Sequence, residues 1–433
     1  MAFSPSFSCF TPRSFNHPAP GALSGFFNPA KTMTSRPSRS WLCHGLLLAL
    51  VLNTSASIAS AETLVPSIAQ PGTRLGASVA IGTDTLVVGA PDDSERAPYA
   101  GAAYVYARSG TQWIERTKLL APPGTAGAYS SFGEAVATSR NFIAVGAPYD
   151  ALQGDASGAV YVYKRSGDTW SFDSRISPSD AAPGQQFGAA IAMDGETIVI
   201  GAYLDNAHDR DAGAAYLFTR SGNRWIQRAK LTASDPTRFA FFGASVAIKG
   251  NYILIGAPVA QAAYLFKLQN GAYIEYARLS PAAGVPTSNY TAFGASVAID
   301  QHALAVGAPL DGDRGFNAGA AYVFHFNSTR VAFHAKLFAS SPQPGDEFGT
   351  ALAIDDFLLA AGAPYAGELN QGAVSVFHSS SSRWSPFRTI LPAFDTAFFG
   401  ISVDLHDDDL VAGSPAYGAS PGAATAQNVR ATP

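Results

Sequence analysis

An all-β fold, a seven-bladed β-propeller of four-stranded antiparallel blades, is what this 433-residue sequence predicts. Three observations predict it: a phrase repeated seven times, polar turns at matching places in each copy, and a gradient of side-chain size along each copy. Between Leu75 and Gly413 the chain writes an F-G or L-G pair, a small-apolar run, a short polar turn, and then G-A-P or a near variant. The second residue of the pair falls at Gly76, Gly133, Gly188, Gly243, Gly294, Gly349 and Gly400, with spacings of 57, 55, 55, 51, 55 and 51 residues. A period of that length suits one supersecondary unit of four short strands.

The four strands of a unit, a to d, follow from local pattern. F-G-A-S-V-A-I (Phe293 to Ile299) alternates as a strand with one buried face, and I-V-I-G-A (Ile198 to Ala202) is a buried β-branched run. G-A-A-Y-V-Y (Gly101 to Tyr106) follows as strand c, and W-I-Q-R-A-K-L (Trp225 to Leu231) closes the unit as strand d. Asp194-Gly195-Glu196 and Lys249-Gly250-Asn251 are tight a–b turns, while Ser109-Gly110, Ser166-Gly167 and Ser221-Gly222 sit between c and d, where glycine supplies the positive φ of a short hairpin. Side chains grow from Gly, Ala, Ser and Val in strand a to Trp, Ile, Arg and Lys in strand d. Blades radiating from an axis are crowded inside and roomy outside, so the gradient fits wedges. Trp113, Trp170, Trp225 and Trp384 share one place in strand d, where Tyr273 and Val331 stand in the other complete units; a ring at a fixed repeat position is blade packing.

The phrases F-G-A-S-V-A-I-D (Phe293 to Asp300) and V-V-G-A-P (Val87 to Pro91) resemble the FG-GAP repeat, which builds the seven-bladed β-propeller of integrin α-subunits and of many bacterial secreted proteins. Seven copies, starting near residues 75, 132, 187, 242, 293, 348 and 399, cover almost the whole chain after residue 61. The resemblance implies a fold more than an activity, because propellers host many roles.

Residues 1–61 lie outside the repeat, contain Arg13, Lys31, Arg36 and Arg39, and have no acidic residue. Two arginines, an apolar run from Trp41 to Leu52 and Ala59-Ser60-Ala61 read as a secretory signal cleaved after Ala61, with Met33 as a start that gives a leader of ordinary length. The run is short for a membrane span. Residues 62–433 are then one propeller domain with no membrane span, secreted or held at the cell surface or in the periplasm. Both cysteines, Cys9 and Cys43, precede the cleavage site, so packing and strand pairing must stabilise the domain. Loss of four basic residues takes the formal charge from −4 to −8, which excludes nucleic acid as the expected partner. Asn289-Tyr290-Thr291 and Asn327-Ser328-Thr329 are glycosylation sequons in a eukaryotic host.

Ring closure is the open point. Pro66 to Gly76 aligns without gaps on Pro178 to Gly188, so the mature chain begins at the very end of a strand d. Gly422-Ala423-Ala424 resembles the start of a strand c with no Trp-containing strand after it. The last blade is therefore expected to be incomplete, with three strands.

Antiparallel order puts the b–c and d–a connections together on one face, the long-loop face. The b–c loops carry Asp92, Asp93 and Tyr99; Tyr149, Asp150 and Asp155; Asp205, Asp209 and Asp211; and Asp311, Asp313 and Phe316, while the d–a loops add Tyr129, Phe239, Tyr290 and Glu347. Variable loops on a repeated scaffold are the usual place for recognition. Carboxylates beside rings suit a basic peptide, a sugar or a cation, although Asp, Asn and Gly are also ordinary loop formers. Unit four lacks a long b–c loop, since Pro258 is followed almost at once by Gln261-Ala262-Ala263, which leaves a notch. The resemblance raises calcium, but one carboxylate in a turn such as Gly82-Thr83-Asp84-Thr85 or Asp300-Gln301-His302 cannot supply the roughly six to eight oxygens calcium takes. No cofactor is expected, with Asp205 to Asp211 and Asp311 to Asp313 as the only weak calcium candidates.

No catalytic set is legible. His208, His302, His325, His334, His378 and His406 are scattered over the strand map, no G-x-S-x-G elbow occurs, and the serines of G-A-S-V-A read as small fillers of strand a. The leading expectation is a monomeric, non-catalytic recognition or adhesion module that binds an extracellular protein or glycan through the long-loop face. Alanine at Asp205, Asp209, Asp311 or Tyr149 should then weaken binding without unfolding. The alternatives are a hydrolase or lyase of extracellular polysaccharide, with carboxylates at the central channel, and a purely structural envelope protein.

Overall fold

The computed structural model describes residues 61–68, 70–281, 290–380, 383–392, 397–416 and 420–430. The leader reading, with Met33 and Ala59-Ser60, and Asn289 of the first sequon fall outside them. Seven antiparallel sheets of four strands each are present. Blade one is Val79–Ile81, Thr85–Ala90, Ala102–Ser109 and Gln112–Leu119. Blade two is Val136–Ser139, Phe142–Ala147, Ala159–Ser166 and Thr169–Ile176, and blade three is Ala190–Asp194, Thr197–Ala202, Ala214–Ser221 and Arg224–Leu231. Blade four is Ser245–Lys249, Tyr252–Ala257, Ala262–Gln269 and Ala272–Leu279, and blade five is Val297–Ile299, Ala303–Ala308, Ala320–Phe326 and Val331–Leu337. Blade six is Leu352–Asp355, Leu358–Ala363, Ala373–Ser380 and Arg383–Ile390.

The seventh blade corrects the sequence expectation, because it has four strands. Val403–His406, Asp409–Ser414 and Ala423–Asn428 supply strands a, b and c, and Glu62–Leu64 from the other end of the chain pairs beside strand c as the fourth. The register Glu62↔Ala426, Thr63↔Thr425 and Leu64↔Ala424 places these residues where Ser174, Arg175 and Ile176 stand in blade two. The alignment of Pro66 on Pro178 held this answer, since three residues at the end of a strand d need a strand c to pair with. Only the open edge of the last blade offers one.

The core lies in the seams between blades. Each of the seven apolar clusters draws on two neighbouring blades, as when Ala103 and Val105 of blade one meet Phe132, Val145 and Tyr161 of blade two. The repeated phrase is the chemistry of that seam. Leu75 and its equivalents Phe132, Phe187, Phe242, Phe293, Phe348 and Phe399 are each no more than 1% exposed. Phe132 sits edge-on to Tyr161 and Tyr163, with centroids 5.5 and 6.3 Å away. The serines expected as fillers also fasten: Ser78, Ser245, Ser296 and Ser402 donate to the carbonyls of Gly133, Gly294, Gly349 and Gly76, each in the next blade.

The glycine of G-A-P is fixed by contact. A Cβ on Gly201 would stand 2.0 Å from the carbonyl oxygen of Gly243 across the seam, whereas one on Gly222 at a hairpin tip would meet nothing within 4 Å. Gly201→Ala is therefore expected to cost about 3 kcal/mol or more through overpacking against backbone. Gly222→Ala, at φ 60, should cost only about 1 kcal/mol. Urea denaturation of the two variants checks the ranking, and equal losses would contradict it.

Candidate functional site

Two ends of the ring are chemically distinct. The b–c and d–a loops are joined by backbone bonds, such as Phe132 N to the Ala100 carbonyl and Phe239 N to the Arg210 carbonyl, and together they form the long-loop face. At the other end a–b turns bond to c–d hairpins, as in Arg165 N to the Asn141 carbonyl.

The acidic residues of the long-loop face divide into two groups. Asp93, Asp150, Asp205 and Asp311 are no more than 1% exposed. Each accepts the hydroxyl of the strand c tyrosine 11 residues later: Tyr104 at 3.3 Å, Tyr161 at 2.5 Å, Tyr216 at 2.8 Å and Tyr322 at 2.9 Å. Each also meets the strand d cation 25 residues later: Lys118 at 2.7 Å, Arg175 at 2.6 Å, Lys230 at 2.9 Å and Lys336 at 2.8 Å. Their Oδ1 atoms turn to the loop, where Asp93 Oδ1 accepts Glu95 N, Asp150 Oδ1 accepts Leu152 N as well as Arg175, Asp205 Oδ1 accepts Ala207 N and Asp311 Oδ1 accepts Asp313 N. These four aspartates hold the loop base to its blade and do not face outward, so alanine at Asp205 or Asp311 removes a structural charge.

The triad is kept or lost as a unit. In blade four the short b–c turn offers no aspartate, and Asp235 from the preceding d–a loop replaces it, accepting Tyr264 Oη at 2.7 Å and pairing with Arg278 at 3.0 Å. In blade six the three places hold Ala366, Ser375 and Thr389, placed by their backbone bonding and register. A buried charge without its partner is strongly unfavourable, so the members go together. Burial and the adjoining carboxylate push the Tyr161 and Tyr322 phenols well above their ordinary range, so both stay protonated donors. Burial alone would lower the Lys118 ammonium, but its hydrogen bonds to Asp93 and Glu95 hold it up.

The remaining candidates sit at the rim. Asp92 is half-buried and takes Arg74 Nε at 2.9 Å, while Arg74 also reaches Glu134 at 2.9 Å. Asp209 and Asp155 are exposed, Asp211 is half-buried 3.6 Å from Arg210, and Asp313 pairs with Lys336. Tyr149 is half-buried. Burial pushes the Glu347 carboxyl up to about 7. The aromatic residues are the exposed ones: Tyr99 and Tyr129 stack at 5.6 Å, 49% and 63% exposed, Phe316 is 80% exposed, and Phe239 lies under the guanidinium groups of Arg238 at 4.9 Å and Arg210 at 5.4 Å. Tyr99, Tyr129 and Phe239 have φ of 52°, 63° and 61°, a conformation uncommon for bulky residues. Sequence reading grouped aspartates and rings as one site, whereas the fold buries Asp93, Asp150, Asp205 and Asp311 at the loop base and leaves Tyr99, Tyr129 and Phe316 exposed with Asp155 and Asp209. The constant offsets of 11 and 25 residues were the available signal.

The short-turn end carries the channel mouth, a funnel of about 720 Å³. Asp300, Asp355 and Asp356 bring carboxylate oxygens within 4.8 Å of one another, and Lys249 Nζ stands 3.6 Å from Asp300 and 3.8 Å from Asp355. The ammonium already supplies the positive charge there, and with one or two carboxylates per turn these residues do not fit the integrin-type calcium loop. Asp194 accepts Gly250 N, Asp355 accepts Asp407 N and Asp404 accepts Ile81 N, each from the next blade around the ring. Burial pushes the Asp404 carboxyl up to about 7. Two of the scattered histidines do come together, His325 and His334 stacking at 3.9 Å on blade five.

A family profile described as the FG-GAP repeat matches residues 60–106, 113–163, 170–218, 225–272, 287–324 and 332–377, more than half of the chain. No curated protein matches. Among solved structures, one titled "Structure of U3-55K" aligns with a TM-score of 0.54 and 10% identity, covering 85% of this chain and 98% of that one, which supports the propeller fold alone. Among the described residues no helix is long and apolar enough to cross a membrane.

Proposed function

The chain belongs to the FG-GAP repeat family, and from that premise we propose that it is a secreted or surface-held, non-catalytic recognition module that binds an extracellular protein or glycan through its long-loop face. One observation carries the reading. Of the eighteen large apolar residues exposed in the described structure, eleven lie on the long-loop face, among them Tyr99, Tyr129, Leu152, Phe239, Tyr290 and Phe316. Six line the outer strands and only Phe357 lies on the opposite face. Exposed apolar groups gathered on one side of a rigid scaffold mark an interaction surface, and aromatic anchors contribute most where water is excluded.

The polysaccharide-cleaving alternative is less well supported. Asp194, Asp355 and Asp404 are each tied to a backbone N–H of the next blade, and no aromatic platform for a sugar lines the funnel. Binding of the purified chain to arrays of glycans and matrix peptides tests the proposal. Tyr129→Ala and Phe316→Ala together are expected to weaken the captured ligand at least tenfold with an unchanged thermal midpoint. Undiminished binding in that variant, with loss in Phe357→Ala, would place the site on the wrong face.

A further inference from the structure

Strand a of every blade lines the channel, and its residues pair in the same register in all seven. At one level the side chains are Ala80, Ala137, Ala192, Ala247, Ala298 and Ala353, opposite the third residue of strand b. In blade seven that level holds Asp404, opposite Val411. One residue nearer the mouth is a mainly apolar ring that includes Ile81, Met193, Ile248, Ile354 and Leu405. Asp404 lines both the funnel and the narrower section of about 260 Å³ beneath it. Its carboxylate is held in place, Oδ2 accepting Ile81 N at 2.8 Å and Oδ1 accepting Leu405 N at 2.9 Å.

A carboxylate at a level where six equivalent positions carry a methyl group is a local departure from a consistent design, and such departures mark functional sites. Its surroundings select the ligand. A lone carboxylate at that depth cannot meet the oxygen count of calcium, and an anion would face Asp84, Asp194, Asp355 and Asp404 against two cations, Arg140 and Lys249, the latter already beside Asp300 and Asp355. An ammonium needs only a few acceptors, and a carbon chain attached to it gains by lying against an apolar ring. The volume is that of an ordinary small-ligand site.

We propose that the funnel at the short-turn end of the channel binds an aliphatic amine, with its ammonium on Asp404 and its carbon stem against the ring of Ile, Met and Leu side chains. The amine is either a free di- or polyamine or the lysine side chain of a partner. This site is separate from the long-loop face, and its failure leaves the reading of that face untouched.

Calorimetry of the intact chain with cadaverine and with Nα-acetyl-lysine amide tests it. The expected result is saturable binding of at least one probe, weakened at least tenfold in Asp404→Ala and in Asp404→Asn. Tighter binding of cadaverine points to a free amine, and equal or tighter binding of the lysine derivative to a partner's side chain. Asp404→Ala installs the residue of the other six blades, so its thermal midpoint should be unchanged or higher. No saturable binding to the native chain, or equal binding in both variants, overturns the proposal. A lower midpoint in Asp404→Ala without amine binding would leave Asp404 as a fastener of the seam between blades seven and one.

Discussion

Lys336→Met will destabilise the protein by about 3–5 kcal/mol, more than removal of any single loop contact, because it leaves the fully buried Asp311 carboxylate without its counter-charge. Asp311→Ala will cost less, about 1–3 kcal/mol, because Asp313 still pairs with the Lys336 ammonium and only the buried Tyr322 hydroxyl loses its acceptor. The double variant Asp311→Ala with Lys336→Met is expected to cost less than the sum of the two by about 2 kcal/mol, since the buried Asp311 charge goes with its partner and the carboxylate left behind, Asp313, is exposed at the loop. Urea unfolding of the three variants measures this coupling, and strict additivity would show that the pair is not a unit. Blade six, with alanine, serine and threonine in the three places, is the natural version of the coordinated loss.

The second large effect concerns closure. Leu64 is 3% exposed and belongs to the cluster between blades seven and one, with Trp113 and Val411. Glu62 Oε2 accepts the backbone N–H of Trp113 at 2.9 Å, which ties the closing strand to the next blade. Leu64→Ala is expected to cost about 3 kcal/mol. Deletion of Glu62–Leu64 should cost more, because it also exposes the outer edge of Ala423–Asn428. The deletion should broaden the calorimetric transition and direct limited proteolysis to Asp409–Asn428. A sharp, unshifted transition would mean that the ring does not depend on this strand.

The fold was legible because the seam chemistry is written once per blade. Phe-Gly, the serine of strand a and the glycine of G-A-P each answer a contact with the next blade, so seven copies in register specify seven seams. Closure was harder to read, since the closing strand is only three residues long and its partner lies about 360 residues away along the chain. The binding face was legible as topology, because alternating connections must segregate by end. Its residues were only half legible. Asp93, Asp150, Asp205 and Asp311 look in the sequence like the loop aspartates Asp92, Asp209 and Asp313 beside them. What separates them is a partner 11 and 25 residues downstream, a relation that appears only when strands c and d are folded against the loop base. Asp404 was hidden for the opposite reason, since one departure from a row of alanines stands out only after the repeats are placed in register.

Hydrogen–deuterium exchange of the chain with and without the ligand identified on the arrays tests the central claim most directly. The long-loop face account predicts protection within 92–100, 126–131, 205–212, 236–241 and 312–317, with exchange unchanged at the turns 82–84, 194–196 and 355–357. Protection confined to those turns would contradict it and move recognition to the opposite end of the channel.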